Sequence, residues 1–240
     1  MVLRSDPVEG GIGWRLAGGR KAGIVAAGMK PLADCRLYAF VDTAYLHGRA
    51  PAEIARELCA GGADLIQLRA KNASAEEVRR IACEILPITR AAGAGLVIND
   101  HFAVAVQVGA DVCHLGQEDF FDAGRQHVSE LRASADGPRI GLSTHAPGQA
   151  QRAVEAGADY IAIGPVYATG TKPGAKPVTL EYVRWAAAHI QMPWFAIGGI
   201  NLSNIDEVLA AGARRICVVS AILNSPDIAE ACRAFRQKIG

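Results

Sequence analysis

Seven clusters of polar residues each follow a short apolar run, and their types and spacing suit chemistry on anions. Gln67, Arg69 and Lys71 alternate with Leu68 and Ala70. At the end of an extended strand that alternation puts one amide and two cations on the same side. Two cations turned toward an interior are costly unless an anion meets them, so the triplet reads as an anion-binding edge. The plainer reading is a solvated strand end. Asn99-Asp100-His101 and His114-Leu115-Gly116-Gln117-Glu118-Asp119 follow the next two runs. Neighbouring strands lie about 4.8 Å apart, so Asp100 and Asp119 can share one ion. Hard oxygen ligands beside phosphate-binding cations suit Mg²⁺ bridged to a diphosphate. Taken singly, either aspartate is also a good helix cap.

Further along the chain, Ser143 and Thr144 are hydroxyl donors to an anion or helix caps. His145 is a candidate general acid or base, or a hydrogen-bonded structural histidine. The stretch from Gly164 to Pro177 carries Thr169, Thr171, Lys172 and Lys176 among glycines and prolines. Loops of this length act as lids or binding loops, the alternative being a rigid surface excursion. Gly198-Gly199 follows the seventh run and Val219-Ser220 closes the eighth. Backbone N–H groups at a glycine turn and at helix starts in these places take a phosphate monoester. One sector therefore suits a Mg-diphosphate and the facing sector a single phosphate. Two phosphorylated substrates opposed in this way point to group transfer with diphosphate as the leaving group.

The elements that must position these clusters are legible as alternating runs. Strand candidates are Leu37–Val41, Leu65–Leu68, Leu96–Ile98, Val112–Leu115, Ile140–Leu142, Tyr160–Ile163, Trp194–Ile197 and Ile216–Val219. They are short and nearly continuous, as parallel strands buried on both faces are. Pro51–Ala60, Ala75–Ala92 and Leu202–Ala211 show helical spacing between them, with a helix expected to begin near Asn201 or Ser203. An internal repeat reads Gly62-Ala63-Asp64, Gly109-Ala110-Asp111, Gly157-Ala158-Asp159 and Gly212-Ala213-Arg214, each followed by an apolar run. Glycine ends a helix in the left-handed conformation and lets a strand begin at once. Eight such alternations predict an α/β fold, a (β/α)8 TIM barrel, over residues 35–240, with an open doubly wound sheet as the alternative. In a barrel the chemistry belongs at the C-terminal ends of the strands, where these clusters lie.

Composition sets the outer limits. The chain has 240 residues, half of them hydrophobic (50%) and 20% charged, which is enough apolar surface for a large core. A net charge of +1 offers no global attraction to nucleic acid or an anionic membrane. Residues 1–34 are glycine-rich and lack hydrophobic periodicity, so they are expected to form a flexible arm, and Met29 is a second candidate start. No apolar run approaches the roughly 20 residues of a membrane span. The six cysteines form no zinc-like spacing, and the natural compartment is a reducing cytoplasm. Oligomeric state is not legible.

Taken together and in order, the clusters resemble the thiamine phosphate synthase family over residues 36–239. The matching motifs are Gln67-x-Arg69-x-Lys71, Ile98-Asn99-Asp100, His114-Leu115-Gly116-Gln117-x-Asp119, Gly141-x-Ser143-Thr144-His145, Gly164-Pro165-Val166 with Thr169-x-Thr171-Lys172, Ala196-Ile197-Gly198-Gly199-Ile200 and Val219-Ser220-Ala221-Ile222. The resemblance implies a transferase that joins hydroxymethylpyrimidine diphosphate to a thiazole phosphate, plain or carboxylated. It implies that Gln67, Arg69, Lys71, Asn99, Ser143 and Lys172 bind the pyrimidine diphosphate, and that Arg69, Lys71, Ser143 and Lys172 carry the catalysis. By the same resemblance Asp100 and Asp119 hold Mg²⁺, and Thr169, Thr171, Gly199, Val219 and Ser220 bind the thiazole phosphate. The implied mechanism is dissociative and needs no general base. Three features depart from the family: His101 where arginine is usual, no glycine within Pro177–Leu180, and a loosely matching first strand, Leu37–Asp42. A thiazole tautomerase on the same fold and a non-catalytic thiamine phosphate sensor are the competing readings.

Overall fold

In a computed structural model, which describes residues 28–132, 137–170, 174 and 176–240, eight parallel strands close into a ring in sequence order. They are β1 (Leu37–Asp42), β2 (Leu65–Arg69), β3 (Gly95–Asn99), β4 (Val112–Gly116), β5 (Arg139–Thr144), β6 (Tyr160–Ile163), β7 (Trp194–Ile197) and β8 (Ile216–Cys217). Leu37 and Tyr38 pair with Ile216 and Cys217, which closes the ring and excludes the open sheet. Around it lie α1 (Pro51–Ala60), α2 (Ala75–Ala92), α3 (Phe102–Val108), α4 (Gln117–Asp122), α5 (Pro147–Glu155), α6 (Thr179–His189), α7 (Ile205–Ala210), α8 (Ser220–Leu223) and α9 (Ile228–Ile239). The fold is the expected (β/α)8 barrel.

Local sequence accounts for most boundaries. Every residue of β1 is buried, as a strand covered on both faces requires. Ser74 caps α2 by accepting from the Glu77 N–H at 3.2 Å, and Gly93 ends it in the left-handed conformation. Two elements are shorter than the apolar pattern suggests. The helix expected from Leu202 begins at Ile205, because Asn201 accepts from the Ser203 N–H and Asn204 from the Asn201 N–H, both at 2.8 Å. Asparagine side chains that capture the backbone compete with the helix in this way. The last strand stops at Cys217: Val218 still donates to the Tyr38 carbonyl at 3.0 Å, but Val219 already turns the chain into α8.

The Gly-Ala-Asp repeat has a mechanical basis. Gly62, Gly109, Gly157 and Gly212 all have positive φ, between 69° and 102°. The aspartate then ties the start of its own strand to the start of the preceding one. Asp64 accepts from the Arg36 and Leu37 N–H groups at 2.6 and 2.9 Å, Asp111 from Leu96 at 2.9 Å and Asp159 from Ile140 at 2.6 Å. The repeat spans two strands because each aspartate stitches a pair. Arg214 stands in the fourth copy.

The flexible arm was expected to run to residue 34, and the described part of that span corrects this. Lys30 pairs with Asp64, Leu32 is 6% exposed, and Met29 fills the space over Gly95, so residues 29–34 pack under the barrel. An apolar Met and Leu, one cation on a buried carboxylate, and Arg215 donating to the Ala33 carbonyl at 2.6 Å hold the segment there. Residues 1–27 lie outside the described residues.

Asp64 also meets Arg236 at 2.8 Å, so it holds two cations and two N–H groups while 6% exposed. Asp64→Ala is expected to lower unfolding free energy by about 3–5 kcal/mol, and Asp111→Ala by about 1–3 kcal/mol. Urea unfolding measures both, and a smaller loss at Asp64 than at Asp111 would show that the cations contribute nothing.

Candidate active site

The inward positions of the strands end in one cavity of about 360 Å³ at the C-terminal mouth of the barrel. Gln67, Arg69, Lys71, Asn99, Asp100, Asp119 and Ser143 line it from one side. Thr169, Gly199, Val219 and Ser220 line it from the other. Thr171 and Lys172 lie outside the described residues. The alternation read from the sequence holds: Gln67, Arg69 and Lys71 all face the cavity, and Leu68 is buried in the wall at 1% exposure.

One expectation changes. The cost of turning Arg69 inward was assigned to an external anion, but the chain supplies one. Asp42, the last residue of β1, lies beside Arg69 in the ladder and accepts from its Nη1 at 2.6 Å. The first strand carries this signal in its final aspartate, which a match limited to the other strand ends passes over.

The two aspartates expected to hold a metal face the cavity from the segments that follow the consecutive strands β3 and β4, and neither caps a helix. Asp100 has φ of 62°, an uncommon conformation that aspartate tolerates, in a tight turn closed by the His101 N–H on the Asn99 carbonyl at 2.8 Å. Asn99 donates to its carboxylate at 2.6 Å. Asp119 lies in the first turn of α4, and a Cβ on Gly116 would come within 2.6 Å of its Oδ2, so the glycine leaves the carboxylate its space. Among the described residues no group of three or more His, Cys, Asp or Glu forms a cage. Two hard carboxylates facing a cavity with cations fit Mg²⁺, which takes one or two carboxylates and completes its shell with phosphate oxygens and water. His101 stands at the N-cap of α3 and does not line the cavity.

The opposite wall is made of backbone. Gly198 and Gly199 have φ of 101° and 66°, and Cβ atoms there would meet Pro165 at 2.4 Å and the Ala168 carbonyl at 2.7 Å. Only glycine fits both demands. The Val166 and Tyr167 N–H groups donate to the Ile197 and Gly198 carbonyls at 2.8 and 3.0 Å, which zips the loop after β6 onto the end of β7. At Ser220 the short helix α8 begins, and its first N–H groups have no intrahelical acceptor. A polar hollow formed by Thr169, Gly199, Asn201, Ser220, Asn224 and Ser225 extends the cavity outward here.

The floor of the cavity holds residues to which the sequence assigned no role. Gln67 Nε2 donates to the Tyr38 hydroxyl at 2.5 Å, the Tyr38 and Tyr160 hydroxyls are 3.0 Å apart, and Tyr160 meets His114 Nδ1 at 2.9 Å. With the Gln67 amide as assigned, each hydroxyl proton finds an acceptor only if Tyr38 donates to Tyr160 and Tyr160 to His114. The His114 proton then sits on Nε2. A buried tyrosine needs a partner for its hydroxyl, which is the signal that Tyr38 and Tyr160 offered in the sequence. Gly141 makes room: a Cβ there would lie 2.1 Å from the Tyr160 ring. The last two candidates are structural in their contacts. Thr144 neither caps a helix nor offers a free hydroxyl, since it donates to the Ala162 carbonyl at 3.0 Å and meets Tyr182 at 2.8 Å. His145 lines the cavity, and its Nδ1 donates to the Gly164 carbonyl. That bond turns Nε2 toward Glu118, 3.8 Å away.

Burial pulls the His114 imidazole down from 6.5 to about 4. The ring is therefore expected to stay neutral from pH 5 to pH 8. Its contribution to stability is full above 6.5 and falls as pH drops toward 4, because the unfolded chain takes the proton first. Nitrogen-detected NMR of the imidazole checks this, and a midpoint near 6.5 would mean that water solvates the ring.

Comparison with known proteins agrees with the geometry. Residues 37–222 match the family model described as thiamine monophosphate synthase. A thiamine-phosphate synthase of Thermus thermophilus is 46% identical over 182 residues, 75% of this chain and 84% of that protein. One of Lawsonia intracellularis is 41% identical over 208 residues, 86% and 93% of the two chains. The solved thiamine phosphate pyrophosphorylase of Pyrococcus furiosus superposes with a TM-score of 0.76 at 31% identity, covering 88% of this chain and 98% of its own. With a closed eight-stranded barrel, a cavity lined by all the described residues to which the resemblance gave a substrate or metal role, and relatives above 40% identity, the chain is an enzyme that belongs to the thiamine monophosphate synthase family.

Proposed function

We propose that this cavity joins 4-amino-2-methyl-5-hydroxymethylpyrimidine diphosphate to 4-methyl-5-(2-phosphoethyl)thiazole, giving thiamine phosphate and diphosphate, or to the carboxylated form of that thiazole, which also releases carbon dioxide. The observation that carries the reading is that the carboxylates and cations of Asp100, Asp119, Arg69 and Lys71 share one space with Gly199 and with Ser220 at the start of α8. The bond from the pyrimidine methylene to oxygen breaks with its electron pair leaving on diphosphate, and the aminopyrimidine delocalises the cation left behind. The thiazole nitrogen then forms the new carbon–nitrogen bond. Arg69 and Lys71 stabilise the departing charge, with Lys172 as a third cation and Ser143 as a hydroxyl donor. Asp100 and Asp119 would hold Mg²⁺, which supplies further neutralisation of the diphosphate oxygens. Gln67 and Asn99 orient the pyrimidine, and Thr169, Thr171, Gly199, Val219 and Ser220 hold the thiazole phosphate, so that proximity does much of the work. No proton transfer is required, which leaves His145 its hydrogen-bonded structural position. The partners of this site are two small anions, and neither nucleic acid nor a membrane enters the reading. All six cysteines are free thiols, which supports a reducing, cytoplasmic setting. Among the described residues no helix is long and apolar enough to cross a membrane.

Diphosphate release is expected only with both substrates and Mg²⁺, and is expected to stop in EDTA. Thiazole phosphate binding without release would instead indicate an isomerase or a sensor. Arg69→Ala and Asp100→Ala are each expected to cost about 100-fold or more in turnover while the circular dichroism of the barrel is kept. Unchanged turnover in either variant would overturn the diphosphate assignment.

A further inference from the structure

We infer that Asp42 is a positioning residue for the diphosphate leaving group, acting through the guanidinium of Arg69. The inference rests on the reading of Arg69 as a diphosphate ligand. Asp42 is 1% exposed and is not among the residues that line the cavity, so it acts on substrate only through another group. A carboxylate that deep must have its charge met. One oxygen accepts from the Ala44 N–H at 3.0 Å and the other from Arg69 Nη1 at 2.6 Å. The backbone contact fixes the carboxylate, and the ladder register sets Arg69 beside it. Arg69, 15% exposed at the side chain, lines the cavity from this anchored position.

The chemistry favours a positioning role over a purely structural one. A buried ion pair is seldom the most stable way to fill a space, since an apolar pair of similar volume often does better. Its use here is geometric. A guanidinium presents several N–H groups in a planar fork, so one arm can be held by a carboxylate while the plane is aimed at phosphate oxygens. A lysine ammonium donates from a single nitrogen and has no planar fork to aim. Asp42 also balances the formal charge of Arg69, so the rim holds an oriented donor rather than an uncompensated cation before substrate arrives.

The test is calorimetric titration of inorganic diphosphate with Mg²⁺ into the wild-type protein, Asp42→Asn, Arg69→Ala and the double variant, with the KM for thiazole phosphate measured in parallel. Asp42→Asn is expected to weaken diphosphate binding about tenfold, a change of about 1.4 kcal/mol, and to leave the thiazole phosphate KM within about twofold. With Arg69→Ala already present, Asp42→Asn is expected to add no further weakening, the signature of one shared interaction. Asp42→Glu, which keeps the carboxylate, is expected to restore part of the affinity. Arg69→Lys keeps the charge without the fork and is expected to bind diphosphate as poorly as Arg69→Ala, which tests the inference even if Asp42→Asn does not fold. Full diphosphate affinity in Asp42→Asn or in Arg69→Lys, with Arg69→Ala impaired, would overturn the inference alone. Equal losses for both ligands in Asp42→Asn would overturn it too, by revealing a general distortion. Undiminished diphosphate binding in Arg69→Ala would instead overturn the reading of Arg69 beneath it.

Discussion

Closing eight parallel strands into a ring sends every second residue of each strand toward one axis, and the rest of the molecule depends on that constraint. Phe40 and Asp42 on β1 have the same parity as Gln67 and Arg69 on β2, so an aromatic, a carboxylate, an amide and a cation share one interior. Side chains that are far apart along the chain become neighbours without any loop having to place them. The polar ones cluster at the C-terminal ends because there the ring opens to solvent, and charged heads need not be fully desolvated.

Below the mouth the interior is closed by aromatic rings. The chain has few aromatics, 6% of its residues, yet Tyr38, Phe40, Tyr160 and Phe195 all lie inside the barrel. Tyr38, Tyr160 and Phe195 meet edge to face with centroids 5.4 to 6.1 Å apart, a favoured arrangement of aromatic quadrupoles. The two tyrosine hydroxyls would be orphans in that packing. Gln67 on one side and His114 on the other satisfy them, so the floor is apolar in bulk and polar along a single line. Such a chain is stable only when every donor has its acceptor, which ties the Gln67 amide in the cavity to a histidine across the barrel.

Stability and chemistry occupy opposite ends. At the underside the strand starts are stitched by Asp64, Asp111 and Asp159, and residues 29–34 pack beside Asp64 and Gly95. At the mouth, Asp100 takes a left-handed backbone and Arg69 is held by a buried carboxylate, features that add strain or desolvation cost. The underside network offsets those costs at a distance from the cavity, as barrels generally permit.

The amino-acid sequence by itself determined the eight-unit alternation, the helices Pro51–Ala60 and Ala75–Ala92 to the residue, and the strand-end clusters. Those are local properties: apolar spacing, a capping serine and glycine at helix ends act within a few residues of where they are written. Parity along a strand is equally local, which is why Gln67, Arg69 and Lys71 were legible as one inward row. The tertiary structure alone decided what each polar group meets. Asp42 became the partner of Arg69, Tyr160 the partner of His114, and Thr144 a wall contact, because those distances depend on the register between strands tens of residues apart. It also decided that the glycines after β7 face the loop after β6, and that the last strand ends two residues early to start a helix at the cavity. Strand register and the close approach of backbones are set by packing across the whole ring, and no short window of sequence contains them.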